Sequence, residues 1–342
     1  MSHEYRNQKD IKNNEKINNL LDEMPDFIED FYNHLVARDR STNTILGYMY
    51  EINVFLRFVK TVVKKESILD IEVTDLDKVS VTKVESYIAK SEDGIDLSAN
   101  AKRRKLSVLK SLYAYYFGIK YIKTNPVLNL EGPRLKSHDV VTLSDSQVKA
   151  LLNCIKNQDG VSEHSKIYSE RLVDRDLAII MVLLGTGMRI SELVGLNISD
   201  FDTTDVAKPC FHIVRKGGDD DTVYFVDQVY LAVCDYLEFS RPLLHPTEAE
   251  NALFIGTTGN RMGTAAVQKM LKKYCAAAGL PDNISPHKMR ATFATTVYKE
   301  TKDIYAIKDA LHHATIDTSK RYISDKEERK ESAAFAAGKL FE

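Results

Sequence analysis

Four short segments in the second half of the chain carry side chains that suit chemistry on phosphate. In the first, LeuLeuGlyThrGlyMetArgIleSerGluLeu (183–193), a hydrophobic run stops at a glycine-rich turn and Arg189 begins the next helix. Glycine lets the backbone turn sharply, which presents the guanidinium at a helix start. A surface arginine paired with Glu192 is the alternative interpretation of the same residues.

The second segment is the turn of a predicted β-hairpin. Two β-rich runs, CysPheHisIleVal (210–214) and ThrValTyrPheVal (222–226), flank ArgLysGlyGlyAspAspAsp (215–221). Lys216 on this glycine-hinged turn can reach into a groove, a position that suits a proton donor. Turns also carry Lys and Gly for solubility alone, so this segment by itself leaves both interpretations open.

The third segment, SerProHisLysMetArgAlaThrPheAlaThr (285–295), predicts a helix that begins with Ser285 as N-cap and Pro286 at the first helical position. His287 then lies in the first turn, with Arg290 three residues on and on the same face. Both point from a helix N-terminus, where the macrodipole favours an anion. The pattern predicts a phosphate site more specifically than either residue alone.

The fourth segment, LeuHisHisAlaThrIleAspThrSerLysArgTyrIle (311–323), contains two histidines and a tyrosine. His312 and His313 are adjacent, so a helix would place them about 100° apart rather than on one metal-binding face. No metal site is therefore predicted here. Tyr322, taken alone, is typical of a core residue in a short helix.

In order and spacing, these segments resemble the active-site signature of the tyrosine recombinases, the integrase family of Xer proteins, Cre-like enzymes and phage or transposon integrases. The matching positions are Arg189, Lys216, His287, Arg290, His313 and Tyr322. ThrGlyMetArgIleSerGluLeu resembles the family's TGxRxSEL, and ProHisLysMetArgAlaThrPheAlaThr its PHxLRHTFAT. The resemblance spans about residues 25 to 335 and looks most like Xer-type recombinases.

Two positions depart from the family pattern. His312 stands where glycine is usual, and Ala291 stands where histidine is usual. Neither is among the six matching positions. The spacing to Tyr322 favours His313 as the histidine that acts.

The resemblance implies that Tyr322 attacks a DNA phosphodiester, giving a 3′-phosphotyrosyl intermediate and a free 5′-hydroxyl. A covalent intermediate keeps the energy of the phosphodiester for rejoining without ATP. Arg189 and Arg290 would bind the non-bridging oxygens, whose charge grows in the transition state. Two fixed arginines take the place that metal ions hold in many nucleases, so no metal or other cofactor is expected.

The same resemblance implies the proton transfers and the partners. Lys216 would protonate the leaving 5′-oxygen, and His287 would assist proton transfer at Tyr322, because a phenol has an unperturbed pKa of about 10. His313 would hydrogen-bond the phosphate. The implied partners are double-stranded DNA and further copies of the chain, as a homotetramer that exchanges strands through a Holliday junction.

These segments need a scaffold, and 342 residues suffice for about two domains. Apolar spacing predicts an all-helical first domain, with helices on both sides of a capped turn at Ser41, near Thr82 to Lys90, and from Ser98 to about Phe117. By resemblance this is the SAM-like core-binding domain. The second domain is predicted to be mainly helical with the small hairpin.

Residues 124–138 contain two prolines and a glycine without periodicity, as an extended linker does. The predicted division is an N-terminal extension (1–24), the core-binding domain (25–123), this linker, and a catalytic domain with a C-terminal helix (139–342). Helices of the catalytic domain are predicted at 144–157, 174–184, 227–240, 264–278, 286–300, 303–311, around Tyr322 and at 326–340.

Basic side chains are concentrated in one segment, although the formal net charge of the chain is −2. Residues 98–138 contain nine Lys or Arg and one acid, Glu131, which gives +8. Such clustering suits a surface that follows a phosphate backbone, and a solvated helix face is the alternative. The predicted DNA-binding residues are Lys102, Arg103, Arg104, Lys105 and Lys110, with Thr42 from the resemblance.

Composition argues against several other classes. With 28% charged and 44% hydrophobic residues, the chain is typical of a globular protein rather than a disordered one. The longest apolar run, 177–184, is far short of the ~18 residues of a membrane span, and the N-terminus lacks the apolar run of a signal peptide. Four cysteines without CxxC spacing fit a reducing compartment. We expect a cytoplasmic, nucleoid-associated bacterial protein with no membrane partner.

Two other functions compete with recombination. A DNA-binding regulator that has lost the chemistry would share the fold, but all six matching positions hold competent residues. A metal-dependent phosphodiesterase needs clustered carboxylates, and the close cluster Asp219–Asp221 is predicted to lie on the hairpin turn. Chromosome dimer resolution and movement of an integrative element both fit the chemistry. For the C-terminal helix, docking on a neighbouring protomer and packing on its own domain both stay open.

Overall fold

The computed structural model describes residues 3–134, 141–160, 170–205, 207–215, 218–247, 250–312 and 315. Over these residues the chain is mainly helical, with one three-stranded antiparallel sheet, which confirms the predicted fold class. The chain divides into two compact units, Asn7–Ser137 and Met1–Arg6 with His138–Glu342. We call these the helical unit and the catalytic unit. Within the described ranges, no helix combines the length and apolarity needed to span a bilayer.

Apolar side chains at helical spacing build the core of the helical unit. Phe31, Ile45, Ile52 and Phe55, which the sequence pattern places on buried faces, are all buried. The helices of this part of the chain are α1 (His3–Leu21), α2 (Phe27–Val36), α3 (Thr42–Val63), α4 (Val81–Ala89) and α5 (Ala99–Gly118), with a 3₁₀ turn at Val73–Lys78.

Serine residues mark several helix starts, with different degrees of side-chain capping. Ser98 accepts a hydrogen bond from the Ala101 backbone N–H at the start of α5. Ser41 occupies the N-cap position of α3 as predicted, but its side chain makes no bond to the helix backbone, and its Oγ lies 2.9 Å from Thr44 Oγ1. The start of α3 is therefore held by other contacts.

The helix α1 was not predicted, because its sequence gives almost no apolar periodicity. Of its nineteen residues only Asn13 and Ile17 are buried. Two such positions cannot set up the repeating apolar face from which a helix is predicted.

The catalytic unit surrounds one large apolar cluster, to which Ile179, Leu183, Phe211, Phe254 and Leu271 contribute fully buried side chains. Its helices are α6 (Asp145–Asn157), α7 (Val173–Thr186), α8 (Ile190–Leu193), α9 (Asp227–Asp235), α10 (Thr264–Ala277), α11 (Pro286–Thr301) and α12 (Ile304–Leu311). Single turns of 3₁₀ or π type lie at Glu170–Leu172, Ile198–Asp200, Tyr236–Ser240 and Pro242–Leu244.

The sheet has the order β1 (Phe201–Asp202), β2 (Cys210–Val214), β3 (Asp220–Tyr224), with neighbouring strands antiparallel. The predicted hairpin is present, but its second strand begins earlier than expected. The prediction that Asp219–Asp221 lies on the turn is wrong for Asp220 and Asp221, which pair with β2. The two-residue strand β1 is too short to produce an alternating pattern and was not predicted.

Two predicted helices, around Tyr322 and at 326–340, lie outside the described residues.

Candidate active site

Arg189 follows a turn that depends on glycine. Helix α7 ends at Gly187, whose φ of 63° lies in the left-handed region that favours glycine. A Cβ at Gly187 would lie 2.4 Å from Cδ1 of Phe293 and 2.8 Å from Cδ2 of Leu311. Both the backbone conformation and the close packing therefore require glycine two residues before Arg189.

Glu192 holds Arg189 at the start of α8. The Arg189 backbone N–H donates to Glu192 Oε2 at 2.7 Å, and its Nη1 donates to Oε1 at 2.9 Å. The sequence offered this pair as an alternative to a catalytic role, yet the Arg189 side chain remains 39% exposed. A guanidinium has five N–H donors, so the pair orients Arg189 and leaves it accessible to an anion.

Glu192 itself is almost fully buried and stays ionised. Burial acts to raise the pKa of Glu192, but the charge of Arg215, the backbone N–H of Arg189 and the Arg189 guanidinium outweigh burial and lower it. The buried Glu192 carboxylate therefore stays negatively charged and orients the guanidiniums of both Arg189 and Arg215.

Helix α11 carries the second arginine and a histidine. Pro286 occupies its first position as predicted, and Ser285 precedes it in an extended conformation, but the Ser285 side chain makes no capping bond. His287, in the first turn, is exposed, whereas Arg290 is buried at 3% exposure. The helix start is therefore defined mainly by the proline, with the histidine at the surface.

Arg290 connects three segments of the catalytic unit. Its Nη1 donates to the Gly187 carbonyl at 2.6 Å, and its Nη2 donates to the Leu311 carbonyl at 2.7 Å. Because Gly187 is two residues before Arg189, these bonds bring the two arginine segments together from positions about a hundred residues apart. Leu311 is the last residue of α12, so the start of the fourth sequence segment joins the same cluster.

Both departures from the family pattern have a structural account. Ala291 is buried in a small apolar cluster with Ala294, Ile307 and Leu311. His312 has φ 51° and ψ 52°, the left-handed conformation in which glycine is favoured and histidine is tolerated. The family's usual glycine thus corresponds to a backbone requirement that His312 also meets.

Of the six predicted catalytic residues, Arg189, His287 and Arg290 lie within the described part of the chain. Lys216, His313 and Tyr322 lie outside it.

The predicted DNA-binding residues of the helical unit fall into different environments. On α5, Arg103, Arg104 and Lys110 are exposed and Lys102 is partly exposed. A Cβ on Gly47 of α3 would lie 3.4 Å from Nη2 of Arg104, so the Arg104 guanidinium lies beside α3. These four cations therefore lie on one helix next to another, as a surface for a polyanion requires.

Lys105 differs from its neighbours because it is only 9% exposed. Its ammonium donates to the carbonyls of Tyr87 and Lys90, at 3.3 and 3.1 Å, and lies 3.9 Å from the centre of the Tyr87 ring. Burial lowers the pKa of Lys105. The charge is used inside the helical unit, so we leave Lys105 out of the interface proposed below.

Thr42, at the start of α3, is bound by residues of α1. Its hydroxyl donates to Asp10 and accepts a hydrogen bond from the Asn13 side-chain amide at 3.0 Å. The same amide donates to Asn43 Oδ1 at 3.1 Å. The start of α3 therefore already interacts with a carboxylate.

Arg215 is a site residue that sequence reasoning missed. It is buried and donates to Glu192 Oε2 from Nη1 at 3.0 Å and to Asp221 Oδ2 from Nε at 2.7 Å. An arginine and an aspartate six residues apart across a hairpin turn were the available signal. The sequence predicts a role for the adjacent Lys216 and none for Arg215.

Within the described ranges, the residues that could hold a metal ion are Asp202, Cys210 and His212, whose ligand atoms lie within 4.8 Å of one another. Asp202 Oδ1 accepts bonds from the Thr204 backbone and hydroxyl, and Oδ2 lies 2.9 Å from His212 Nε2. Burial raises the pKa of the Cys210 thiol, which disfavours the thiolate that binds metal. Protein partners account for this group without an ion.

Comparison with known families gives two matches. The Phage integrase family matches residues 141–329, more than half of the chain. The phage integrase N-terminal SAM-like domain matches residues 28–117.

Curated relatives and solved structures give the same picture. The chain is 30% identical over 314 residues to tyrosine recombinase XerC of Caldanaerobacter subterraneus subsp. tengcongensis, covering 87% of this chain and 82% of that protein. It is 28% identical to tyrosine recombinase XerD of Rickettsia prowazekii, covering 87% and 92%. The pre-cleavage crystal structure of the XerH site-specific recombinase bound to its difH substrate superposes with a TM-score of 0.63 at 20% identity, covering 87% of this chain and 80% of that one, a likeness of fold.

Proposed function

The chain belongs to the phage integrase family, and from this premise we propose that it is a site-specific tyrosine recombinase that cuts and rejoins DNA through Tyr322. The observation that carries the proposal is the convergence of Arg189 and Arg290 on the Gly187 turn, with Arg290 bonded to the Gly187 carbonyl. Fixed guanidiniums in one cluster are what a pentacovalent phosphoryl transition state needs.

Each step of the proposed reaction uses a side chain of this chain. The Tyr322 oxygen forms a bond to phosphorus as the bond to the 5′-oxygen breaks, which leaves a 3′-phosphotyrosyl linkage and a 5′-hydroxyl. Arg189 and Arg290 stabilise the charge that develops on the non-bridging oxygens. The 5′-hydroxyl of a partner strand then attacks the linkage and regenerates the tyrosine.

Three further residues complete the proposed chemistry. Lys216 donates the proton that the leaving 5′-oxygen needs, and His287, exposed in the first turn of α11, assists proton transfer at Tyr322. His313 hydrogen-bonds the phosphate. With positive charge supplied by arginines, we expect no requirement for a divalent metal or ATP.

We propose that the DNA-binding surface of the helical unit is formed by the basic side chains of α5 that are at least partly exposed: Lys102, Arg103, Arg104 and Lys110. Exposed cations that contact phosphates release the counterions of DNA, which makes the affinity depend on salt. Thr42 remains a predicted DNA contact. A phosphate bound at Thr42 would displace the Asp10 carboxylate, which accepts a hydrogen bond from the Thr42 hydroxyl.

The assembly and the setting are proposed from the family. We propose a homotetramer on two synapsed duplexes, strand exchange through a Holliday junction, and docking of the C-terminal helix on a neighbouring protomer. The chain would act in the bacterial cytoplasm on nucleoid DNA, in chromosome dimer resolution or in integration and excision of a mobile element.

The test of the function begins with the protein's own covalent chemistry. The full chain is incubated with fragmented chromosomal DNA from its source in EDTA, stopped with detergent, and the DNA linked to protein is recovered and sequenced. We expect a discrete site, and its position at one chromosomal locus or at element ends separates the two biological roles.

A nicked duplex built on the recovered sequence then traps the intermediate. Wild type should accumulate covalent protein–DNA product, with the modified peptide containing Tyr322, whereas Tyr322→Phe should give none while binding the same duplex. Binding without any covalent product from wild type would favour the inactive regulator. Loss of cleavage in EDTA, or cleavage by Tyr322→Phe, would contradict the proposed reaction.

A further inference from the structure

The stem of the β2–β3 hairpin carries a line of ion pairs that reaches the active-site arginine. Arg215, which directly follows β2, is buried between two carboxylates, with Nη1 3.0 Å from Glu192 Oε2 and Nε 2.7 Å from Asp221 Oδ2. Glu192 in turn binds Nη1 of Arg189 through Oε1 at 2.9 Å. One guanidinium thus connects the hairpin to the carboxylate that orients Arg189.

The line continues at the other end to one of the two positions where this chain departs from its family. His312 Nδ1 lies 3.3 Å from Asp221 Oδ2, the same oxygen that Arg215 contacts. His312 directly follows α12, whose last carbonyl accepts a bond from Arg290. Asp221 therefore connects β3 both to Arg215 and to the segment that leads to His313.

Backbone bonds fix the geometry from which the turn departs. The Arg215 N–H donates to the Asp219 carbonyl at 2.8 Å, and the Gly218 N–H donates to the Arg215 carbonyl at 3.1 Å. Lys216 follows Arg215 directly in the sequence. A change in the position of Arg215 would therefore move the attachment point of the lysine.

Because Arg215 is buried between two carboxylates, this position requires an arginine rather than a lysine. A buried guanidinium needs its charge neutralised, and Glu192 and Asp221 together provide two carboxylates on two sides of it. Arginine satisfies both because its Nε and Nη donors form a rigid planar fork. Lysine, with a single ammonium, could not hold the same two directions.

We propose that Arg215 and Asp221 are positioning residues for strand cleavage, which hold the hairpin stem against Glu192 so that Lys216 can protonate the leaving 5′-oxygen of the phosphodiester that Arg189 binds. The inference rests on the proposed function and assigns a role to two residues that the family signature leaves unassigned. Asp221 acts through Arg215, and neither needs to touch DNA.

The test uses the chemistry of the leaving group. In the normal substrate the departing 5′-oxygen takes a proton from Lys216. In a duplex with sulfur at that bridging position, the phosphorus–sulfur bond breaks to release a thiolate. A thiol is a much stronger acid than an alcohol, as the unperturbed pKa of about 8.5 of a cysteine thiol illustrates. The sulfur substrate therefore needs no proton donor, and a defect in lysine positioning disappears on it.

Asp221→Ala is compared with wild type on the two nicked duplexes, by the single-turnover rate of covalent complex formation at saturating protein. We expect a loss of about 10- to 100-fold on the oxygen substrate, below the range for removing a general acid outright, and a rate within a few-fold of wild type on the sulfur substrate. Lys216→Ala should show the same pattern with a larger loss. Asp220→Ala, the adjacent acid that pairs with His3 instead, should leave both rates within about twofold.

The outcomes separate the two levels of inference. Asp221→Ala that cleaves the oxygen substrate at the wild-type rate, or that binds DNA normally but is equally slow on both substrates, overturns the positioning role. If circular dichroism shows that Asp221→Ala is unfolded, Arg215→Lys, which keeps the charge and loses the fork, is judged by the same criterion. Wild type that forms no covalent complex on either duplex contradicts the proposed function itself.

Discussion

The chain holds its cations in two opposite ways. In the catalytic unit, Arg290 and Arg215 are buried and bonded to carbonyls or carboxylates, and Arg189 is oriented by Glu192. In the helical unit, the side chains of Arg103 and Arg104 on α5 are exposed. The contrast fits two tasks, because stabilising a transition state needs donors fixed in advance, whereas binding a phosphate backbone needs exposed charge that exchanges with counterions.

Lys105 shows that position in a basic run does not decide which task a cation has. It directly follows the exposed Arg103 and Arg104 in the sequence and is nonetheless buried against Tyr87. The distinction between the two groups is therefore one of burial and partners, and each of the following substitutions tests it.

Arg290→Ala should have the largest effect. Loss of one preorganised donor typically costs 10²–10³-fold, and Arg290 supplies a charged fork, so we expect single-turnover cleavage of the nicked duplex to fall about 1,000-fold or more. Affinity for a mixed-sequence duplex should change less than about threefold, because a buried guanidinium adds little to counterion release. An equal fall in affinity would show that Arg290 belongs to the binding group.

Gly187→Ala should destabilise the catalytic unit. The left-handed conformation costs an alanine about 1–2 kcal/mol, and the clash with Phe293 adds to this cost, so we expect about 2–4 kcal/mol in denaturant unfolding. Gly279→Ala is the matched control, since Gly279 also has a positive φ, 65°, but nothing lies within 4 Å of its Cβ position. It should show only the conformational cost, and equal effects at the two sites would remove the packing argument.

Lys105→Ala should lower stability and leave DNA binding unchanged. The substitution removes the packed stem and leaves the Tyr87 and Lys90 carbonyls without the ammonium they accept from, which we expect to cost about 2 kcal/mol. The slope of log affinity against log salt on a mixed-sequence duplex should match wild type. A reduced slope with unchanged stability would place Lys105 at the DNA after all.

The double variant Arg103→Ala with Arg104→Ala should show the reverse pattern. We expect about tenfold weaker binding near physiological salt and a salt slope smaller by about 2, because each cation that contacts a phosphate contributes about 0.9 to the slope. Cleavage at saturating protein and the unfolding free energy should stay close to wild type. A wild-type salt slope would contradict the proposed surface.

The sequence predicted local features well and long-range partners poorly. Proline and glycine fix backbone conformation by themselves, so the helix start at Pro286 and the turn at Gly187 could be predicted from residue type alone. The carbonyl partners of Arg290 could not, because they are 103 and 21 residues away and leave no pattern in side-chain type. The same holds for the contacts of Thr42 with α1, a helix whose polar sequence gave no periodic signal.

Two features that the sequence analysis did not anticipate, the burial of Lys105 and the start of β3, did leave signals. Lys105 shares a helical face with the buried Leu109 and Leu112, at spacings of four and seven residues, which indicates an inward position. In the extension of β3 to Asp220 and Asp221, the carboxylate of Asp221 is paired with Arg215. Acidic residues at a strand end look like turn residues until their partner is known.

In the proposed reaction Arg290 is held in place in order to stabilise charge on a phosphate, but its two bonds to carbonyls also fit a purely structural role. The most direct measurement removes the charge from the substrate, by replacing one non-bridging oxygen of the scissile phosphate with a methyl group in the nicked duplex. If Arg290 serves the transition state, the loss caused by Arg290→Ala should shrink from about 1,000-fold on the normal duplex to within about tenfold on the neutral one, for one of its two stereoisomers. An equal loss on both duplexes would show that Arg290 only stabilises the fold and would contradict its proposed role at the phosphate.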